Sequence, residues 1–407
     1  MAKCRICQSK YQPFIDFGPM PISNNFLAEK DFANEYFFPM KAGFCSSCSM
    51  VQLLEQPAAD VMFHDNYTFF SGTSRLMAEH FKHFADDIKL NYLTDKQSPF
   101  VVEIGSNDGI MLQNFAEAPY RHLGVEPSAN VARVAQDKGL NSIVRFFNLE
   151  TAKDIVAAHG QADAFLAANC MCHIPTLHDI IEGIAHLMSP GGVVAFEDPY
   201  LGEVIRNTSF DQLYDEHVFL FSLHSISAAF AQHGFELIDA KPLETHGGSM
   251  RYYLSQKGMR PVSSRVKQLL QDEVDLGLLI PGTYDKFRLG CEQIRDDLKY
   301  LLIKLKREGK RVVGYAATSK STTLLNYAGI GPELIEYISD TTPLKQGKFS
   351  PGMHIPVLPA ETLQGNYPEY LLLFAYNHQK EIFAKEAQFA KNDGKWIMFV
   401  PNVHVVE

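Results

Sequence analysis

Two Cys-x-x-Cys pairs, Cys4/Cys7 and Cys45/Cys48, lie near the start of the chain with 37 residues between them. A two-residue gap lets both thiolates of a tight turn face one ion, and two such turns complete a tetrahedron. Cysteine fills all four positions, which leaves no place for water or substrate, so the spacing predicts structural rather than catalytic zinc. Between the pairs stand Gly18, Pro19, Pro21 and Pro39, which predict turns and loops. The segment is poor in aliphatic residues, and burial alone would struggle to fold it. Zinc can contribute about 10–16 kcal/mol of apparent binding energy to such a site. Residues 1–60 are therefore expected to form a Cys4 zinc-binding domain.

The whole chain of 407 residues is long enough for two to three domains at ~150 residues each. Lys+Arg 37 against Asp+Glu 47 gives a formal charge of -10, which disfavours nucleic acid as a partner while allowing a local basic pocket. No stretch approaches the ~20 apolar residues of a membrane-spanning helix. Met1 to Cys7 lacks the apolar core of a secretory signal, and seven cysteines are too few for a disulfide scaffold. A cytoplasmic protein with no membrane partner is expected.

From about residue 72 helical and strand-like runs alternate. Ser74 to Asp87 has helical spacing, with Leu76, Met77, Phe81, Phe84 and Ile88 on one face. Phe100 to Ile104 reads as a buried strand ending in Gly105-Ser106-Asn107-Asp108-Gly109, after which Ile110 to Phe115 resumes helical character. Strand, glycine turn and helix begin an open α/β sheet whose turn a ligand can approach closely. Leu123 to Val125 is a second strand, and Glu126 at its tip is placed to accept the ribose hydroxyls of an adenosine. The turn is not the dinucleotide fingerprint: Asn107 stands where a middle glycine would be. Glu103, just before the turn, opposes a pyrophosphate and suits a cation. Ala164 to Asn169 reads as a fourth strand, Ile180 to Met188 as a helix, and Ser189-Pro190-Gly191-Gly192 as a turn before the strand Val193 to Glu197. Cys170 and Cys172 read as buried fillers. Glu103, Gly105, Gly109 and Glu126 together resemble the binding face of the class I S-adenosylmethionine-dependent methyltransferases. That resemblance implies Glu103 near the methionyl end and Glu126 on the ribose, with Asn107 and Asn169 also on the cofactor side.

Phe210 to Ser222 brings Tyr214, Glu216 and His217 within four residues, beside the expected cleft. Imidazole titrates near neutrality, so His217 is a candidate base and Glu216 a candidate orienting group. A surface histidine and a solvated acidic turn account for the same residues equally well. A metal site with Asp211 or His224 lacks ligand spacing.

Val262 to Arg307 predicts two helices of a solvated amphipathic connector. Lys310 to Ala317 starts another α/β unit, with further strands at Ile335 to Ser339, ending in Asp340, and at Tyr370 to Ala375. Gly314 to Ser321 nearly spells a phosphate loop, but Ser319 replaces the glycine before Lys320, which argues against an NTPase. Hydroxyls, a lysine and a helix start still suit a looser phosphate site, although a capped helix start explains them too.

The full set resembles the sugar C-methyltransferase family, which methylates C3 of nucleotide-linked 4-keto-deoxyhexoses. The shared stretches are the two Cys pairs, Tyr67 to Ser74, Glu103 to Gly109, Asn169 to Pro175, Tyr214 to His217, Thr245 to Arg251 and Gly314 to Lys320. The resemblance implies an α/β protein with a zinc-binding domain (1–60), a central class I methyltransferase Rossmann-like domain (61–260), a helical connector (261–308) and a second Rossmann-like domain (309–407). It implies His217 as general base, Tyr214 and Glu216 as its pocket neighbours, and His173 and Tyr67 as further polar residues of the site. Thr318, Lys320 and Thr323 would lie near the diphosphate of a nucleotide-linked ketosugar, while His246, Ser249 and Arg251 would help close the cleft. Phe69-Phe70 departs from the polar residues usual beside that tyrosine. Competing readings are O- or N-methylation on the same scaffold, and a noncatalytic zinc-bearing scaffold that only binds ligands.

Overall fold

The structure, a computed structural model, describes residues 2–58 and 75–406. In the N-terminal region β1 (Ala2–Lys3), β2 (Lys10–Pro21), β3 (Phe37–Phe44) and β4 (Val51–Leu53) form an antiparallel sheet. The glycine and prolines expected in turns lie inside β2 and β3 instead. Pro19 faces Pro39 across the pair, and the register shifts between Pro13 and Ile15 and between Asp16 and Gly18. Bulges of this kind let a strand carry residues that cannot donate to the ladder. The segment also has a larger core than its aliphatic count predicts, because Phe17, Met20, Phe38 and Met40 are buried in it.

The central region contains α1 (Arg75–Tyr92), β5 (Phe100–Ile104), β6 (Arg121–Val125), α2 (Ala129–Asp137), β7 (Ser142–Ile143), α3 (Leu149–His159), β8 (Ala162–Ala168), α4 (Leu177–Leu187) and β9 (Met188–Pro199). It continues through α5 (Leu201–Asn207), β10 (Phe219–Leu220), α6 (Leu223–Ala231), β11 (Phe235–Leu243) and β12 (Ser249–Gln256). The sheet order is β11-β12-β9-β8-β5-β6-β7, parallel except where β12 pairs with β9 and β11. The chain leaves β5 toward β6 on one side and returns to β8 on the other, so a crevice opens at the carboxyl ends of β5 and β8. After the glycine turn only a single 3-10 turn forms, Leu112–Phe115, rather than the expected helix. Its Leu112 and Phe115 are both buried, and the chain must reach Arg121 for β6 soon afterwards. β9 begins at Met188 and absorbs the turn expected at 189–192.

Strand β10 leaves the central region and completes the N-terminal sheet by pairing with β4. Next come α7 (Ser264–Asp275) and α8 (Pro281–Arg307). α8 is not a solvated connector. Tyr284, Phe287, Ile294, Leu298 and Leu302 recur at helical spacing and are buried, and Tyr284 stacks on Phe44 of β3 with centroids 4.2 Å apart.

The C-terminal unit is β13 (Val312–Tyr315), α9 (Ser319–Ala328), β14 (Ile338–Asp340), β15 (Val357–Pro359), β16 (Tyr370–Leu373), α10 (Gln379–Lys385), α11 (Ala387–Lys391), β17 (Lys395–Met398) and β18 (His404–Val406). Its sheet, β15-β14-β13-β16-β17-β18, is parallel apart from β18, and the order in which the chain adds strands switches sides between β13 and β16. No helix among the described residues is long and apolar enough to cross a membrane.

Candidate active site

β5 is buried along its whole length, so the pleat carries Glu103 into the protein beside the glycine turn. Gly105 and Gly109 both have positive φ, 58° and 81°. A Cβ on Gly109 would stand 2.3 Å from a Leu140 methyl, so only glycine fits. Glu126, at the tip of β6, accepts the backbone N–H groups of Asn107 at 3.0 Å and Ser128 at 2.8 Å, which fixes its carboxylate at the crevice mouth. Burial, reinforced by Glu126 and Asp108, pushes the Glu103 carboxyl well above its usual range. Its Oε2 has no hydrogen-bond partner among the described residues. A buried, orphaned carboxyl oxygen is stabilised by a cation, and the ammonium of S-adenosylmethionine fits that requirement. Asn169 bends the chain out of β8 with φ 52°, and its N–H donates to Glu197 O at 2.7 Å.

The turn before β10 carries the proton-handling groups. Nδ1 of His217 lies 2.8 Å from Gln212 O and so donates to it, which leaves Nε2 to accept the Tyr214 hydroxyl at 2.7 Å. The His217 ring stacks on His173 at 5.2 Å. Burial, with His173 nearby, holds His217 well below the ordinary imidazole range, and burial takes His173 down to about 4. Both are neutral at physiological pH. Glu216 accepts from Asn24 Nδ2 at 2.6 Å and is pushed up to about 8 by burial and by Asp215. Asp211 accepts from the Tyr376 hydroxyl at 3.0 Å and is pushed up to about 6 by burial. Tyr67 lies outside the described residues, as does the rest of the Tyr67 to Ser74 stretch.

The C-terminal unit meets this turn through α9. Thr318 caps the helix, its Oγ1 accepting from Ser321 N at 3.1 Å. Lys320 reaches back across the cleft, donates to His246 O at 3.1 Å and lies 5.5 Å from the Tyr376 ring centre. His246 is itself brought down to about 4 by burial, with Lys320 adding to the effect. Three residues expected to face substrate have other partners. Thr323 Oγ1 donates to Leu213 O at 2.8 Å, and Ser249 Oγ to Thr245 O at 3.0 Å. Arg251 forms a buried ion pair with Glu197 at 2.7 Å and covers the Phe84 ring. In each case burial without a partner would be costly, and a nearby carbonyl or carboxylate supplies one. Asn24, Tyr376 and Lys345, whose charge acts on Glu216, were missed by sequence reasoning, and Asp211 was weighed only as a metal ligand. Asp211 and Tyr376 adjoin motifs that were singled out, whereas nothing local marks Asn24.

In the N-terminal domain the four cysteine sulfurs lie within 4.8 Å of one another, with Cys4–Cys48 at 3.5 Å and Cys7–Cys45 at 3.4 Å. That arrangement suits a tetrahedral zinc ion. Cys172, His173 and His217 also bring ligand-type atoms within 4.8 Å. Both ring nitrogens of His217 are already engaged there, one by Gln212 O and one by Tyr214, and the thiol adjoins Asp198.

Three family models match the chain: a zinc binding domain over residues 4–63, a methyltransferase domain over 77–240 and a C-methyltransferase C-terminal domain over 244–401. The chain is 33% identical over 408 residues to C-methyltransferase NovU of Streptomyces niveus, an alignment covering 99% of this chain and 96% of that protein. The ubiquinone biosynthesis O-methyltransferase of Serratia proteamaculans is 26% identical over 123 residues, 28% of this chain and 50% of that enzyme. Among solved structures, magnesium protoporphyrin IX methyltransferase from Synechocystis, with S-adenosylmethionine bound, superposes with a TM-score of 0.34 at 14% identity over 45% of this chain and 82% of that one.

Proposed function

The chain belongs to the C-methyltransferase family, and from that premise we propose that it methylates C3 of a nucleotide-linked 4-keto-deoxyhexose with His217 as the base. It is an S-adenosylmethionine-dependent methyltransferase with a structural zinc domain; the ketosugar, the carbon attacked and the base are the proposal. A cytoplasmic setting goes with this reading. The observation that carries it is the pairing of His217 Nε2 with the Tyr214 hydroxyl at 2.7 Å, buried between the cofactor crevice and α9.

Carbon becomes a nucleophile only when a C–H bond beside a carbonyl breaks and its electron pair spreads onto oxygen. His217 has the lone pair for that proton, and its Nδ1–H bond to Gln212 O fixes the tautomer and ring angle. When the sugar carbon approaches Nε2, the Tyr214 hydroxyl must leave it. The freed O–H can then meet the enolate oxygen as an oxyanion-hole donor. Burial makes the imidazolium a strong acid, so Nε2 releases the proton to solvent water as the product leaves, and the neutral base is restored for the next turnover. Glu103 and Glu126 hold the methionyl ammonium and the ribose. When bound, S-adenosylmethionine supplies an electrophilic methyl group on a sulfonium to the waiting carbon. Lys320, with Thr318 at the start of α9, meets the diphosphate.

Deuterium exchange tests the reading. Incubated in D2O without methyl donor, the enzyme should exchange the C3 hydrogen of the ketosugar, and His217→Asn should abolish that exchange. Methylation of oxygen or nitrogen without carbon exchange would overturn the C-methylation step. Binding without exchange or turnover across a range of ketosugar nucleotides would overturn the substrate class.

A further inference from the structure

The N-terminal zinc domain touches the reaction site directly. Its sheet is completed by β10, the strand that follows His217, and Leu53 N donates to Val218 O at 2.8 Å. On the other side of the same turn sit Ser23 and Asn24, just beyond β2. Ser23 N donates to Asp215 Oδ1 at 3.1 Å, and Asn24 Nδ2 donates to Glu216 Oε1 at 2.6 Å. Both residues also hold α9 of the C-terminal unit. Ser319 Oγ donates to Asn24 Oδ1 at 2.8 Å, and Thr322 Oγ1 donates to Ser23 O at 3.0 Å. Four hydrogen bonds across two residues thus join three domains at the pocket.

We propose that Asn24 is a positioning residue of the methyl transfer, fixing the Glu216 carboxyl against the start of α9 and making the zinc domain part of the active site. This rests on the reading of Glu216 as a pocket residue. Only a side-chain amide satisfies both neighbours at this length, with N–H groups for a carboxyl and a carbonyl for a hydroxyl. Aspartate has no N–H for Glu216 Oε1 and would add a further negative charge beside Asp215, and alanine would remove this hydrogen bond to Glu216. Asp215 beside Glu216, Lys345 from the segment after β14 and Cys172 from the segment after β8 also face that carboxyl. Asn24 supplies the hydrogen bond that favours its ionised form, so losing it should raise the pH at which Glu216 titrates.

The test uses the full zinc-loaded enzyme. Infrared difference spectra, with the protonated carboxyl stretch assigned through Glu216→Gln, follow Glu216 without any substrate. Asn24→Ala should move that titration to higher pH and lower kcat on the ketosugar roughly 10- to 100-fold, with zinc content and the affinity for S-adenosylmethionine unchanged. Ser319→Ala, which only unhooks the far end of the amide, should move both in the same direction by less. Loss of thermal stability with an unmoved Glu216 titration would mean a purely structural role and overturn the proposal. So would wild-type kcat in Asn24→Ala. If the wild-type enzyme turns over no ketosugar, the substrate reading fails, and the infrared titration still decides whether Asn24 controls Glu216.

Discussion

The central and C-terminal sheets carry the same backbone device at the end of their first strand. Gly105 and Ala316 both turn the chain with positive φ, 58° and 71°, and their N–H groups donate to Val125 O and Ser339 O of the neighbouring strand. An acid at the tip of that neighbour then collects two backbone N–H groups. Glu126 takes Asn107 and Ser128, and Asp340 takes Ala317 at 2.6 Å and Thr342 at 2.7 Å. The two units diverge just ahead of the turn, where one has Glu103 and the other Gly314. The Glu103 carboxyl is buried beside the glycine turn, and its Oε2 has no hydrogen-bond partner among the described residues. At Gly314 a Cβ would come within 2.6 Å of the buried Phe374 ring, which fills the space. One layout therefore keeps a buried carboxyl with an unpartnered oxygen, and its counterpart has closed that position with an aromatic ring. What remains open in the second unit is the helix start with Lys320, which suits an anion.

If the chemistry belongs to the central unit, the largest loss should come from its turn before β10. His217→Asn keeps a planar polar group but loses the basic nitrogen. Turnover should fall about 10²- to 10⁴-fold, with the calorimetric affinity for S-adenosylmethionine unchanged. Retained turnover would move the base elsewhere in the cleft.

A smaller, paired effect separates the two binding roles. If Glu103 receives the methionyl ammonium, Glu103→Gln takes away the carboxyl that can ionise against it and should weaken S-adenosylmethionine roughly 10- to 100-fold, leaving the KM of the sugar nucleotide alone. Lys320→Ala should do the reverse, raising that KM about tenfold with cofactor affinity intact. Equal effects of both variants on both ligands would erase the division of labour between the two units.

Gly314→Ala tests the closed position itself. The added methyl must push on Phe374, and overpacking of this kind costs about 1–3 kcal/mol. Thermal unfolding should report that loss while cofactor affinity stays at the wild-type value. A stability equal to wild type would mean that the ring yields and the position is not closed.

Sequence patterns reached the features of this comparison that depend on near neighbours. Cysteine spacing, the glycine turn, Glu126 at a strand tip and the crowded Tyr214 to His217 turn are each defined within a few residues. What escaped depends on contacts across the fold. Asn24 meets Glu216 across 192 positions, and Tyr376 meets Asp211 across 165. Nothing near Gly314 announces that Phe374 fills its space. The single 3-10 turn after Gly109 was missed for a related reason: the apolar run Ile110 to Leu112 reads as helix, but the sheet leaves it room only to bury itself and turn back. Burial on α8 was legible in its spacing and was hidden by its charge.

The mildest effect concerns pH, and it again belongs to the central unit. Buried His173 and His246 are depressed to about 4 from an ordinary 6.5. Their neutral forms stabilise the fold above 6.5, and that contribution is lost as pH falls toward 4. Glu216 and Asp198 behave in the opposite sense, both raised to about 8 by burial. Each binds its proton more tightly folded than unfolded, so its contribution is present at low pH and is lost as pH rises through 8. Between pH 6.5 and 8 each of these histidines still adds about 0.4 kcal/mol as its unfolded form loses the rest of its proton, and Glu216 works against them with a cost of about 1–2 kcal/mol. Glu216→Gln cannot ionise, so urea titrations at the two pH values should show the wild type losing that much more stability than the variant. Parallel losses in both would mean that Glu216 is already ionised at pH 6.5 and that Asn24 holds a carboxylate rather than an acid.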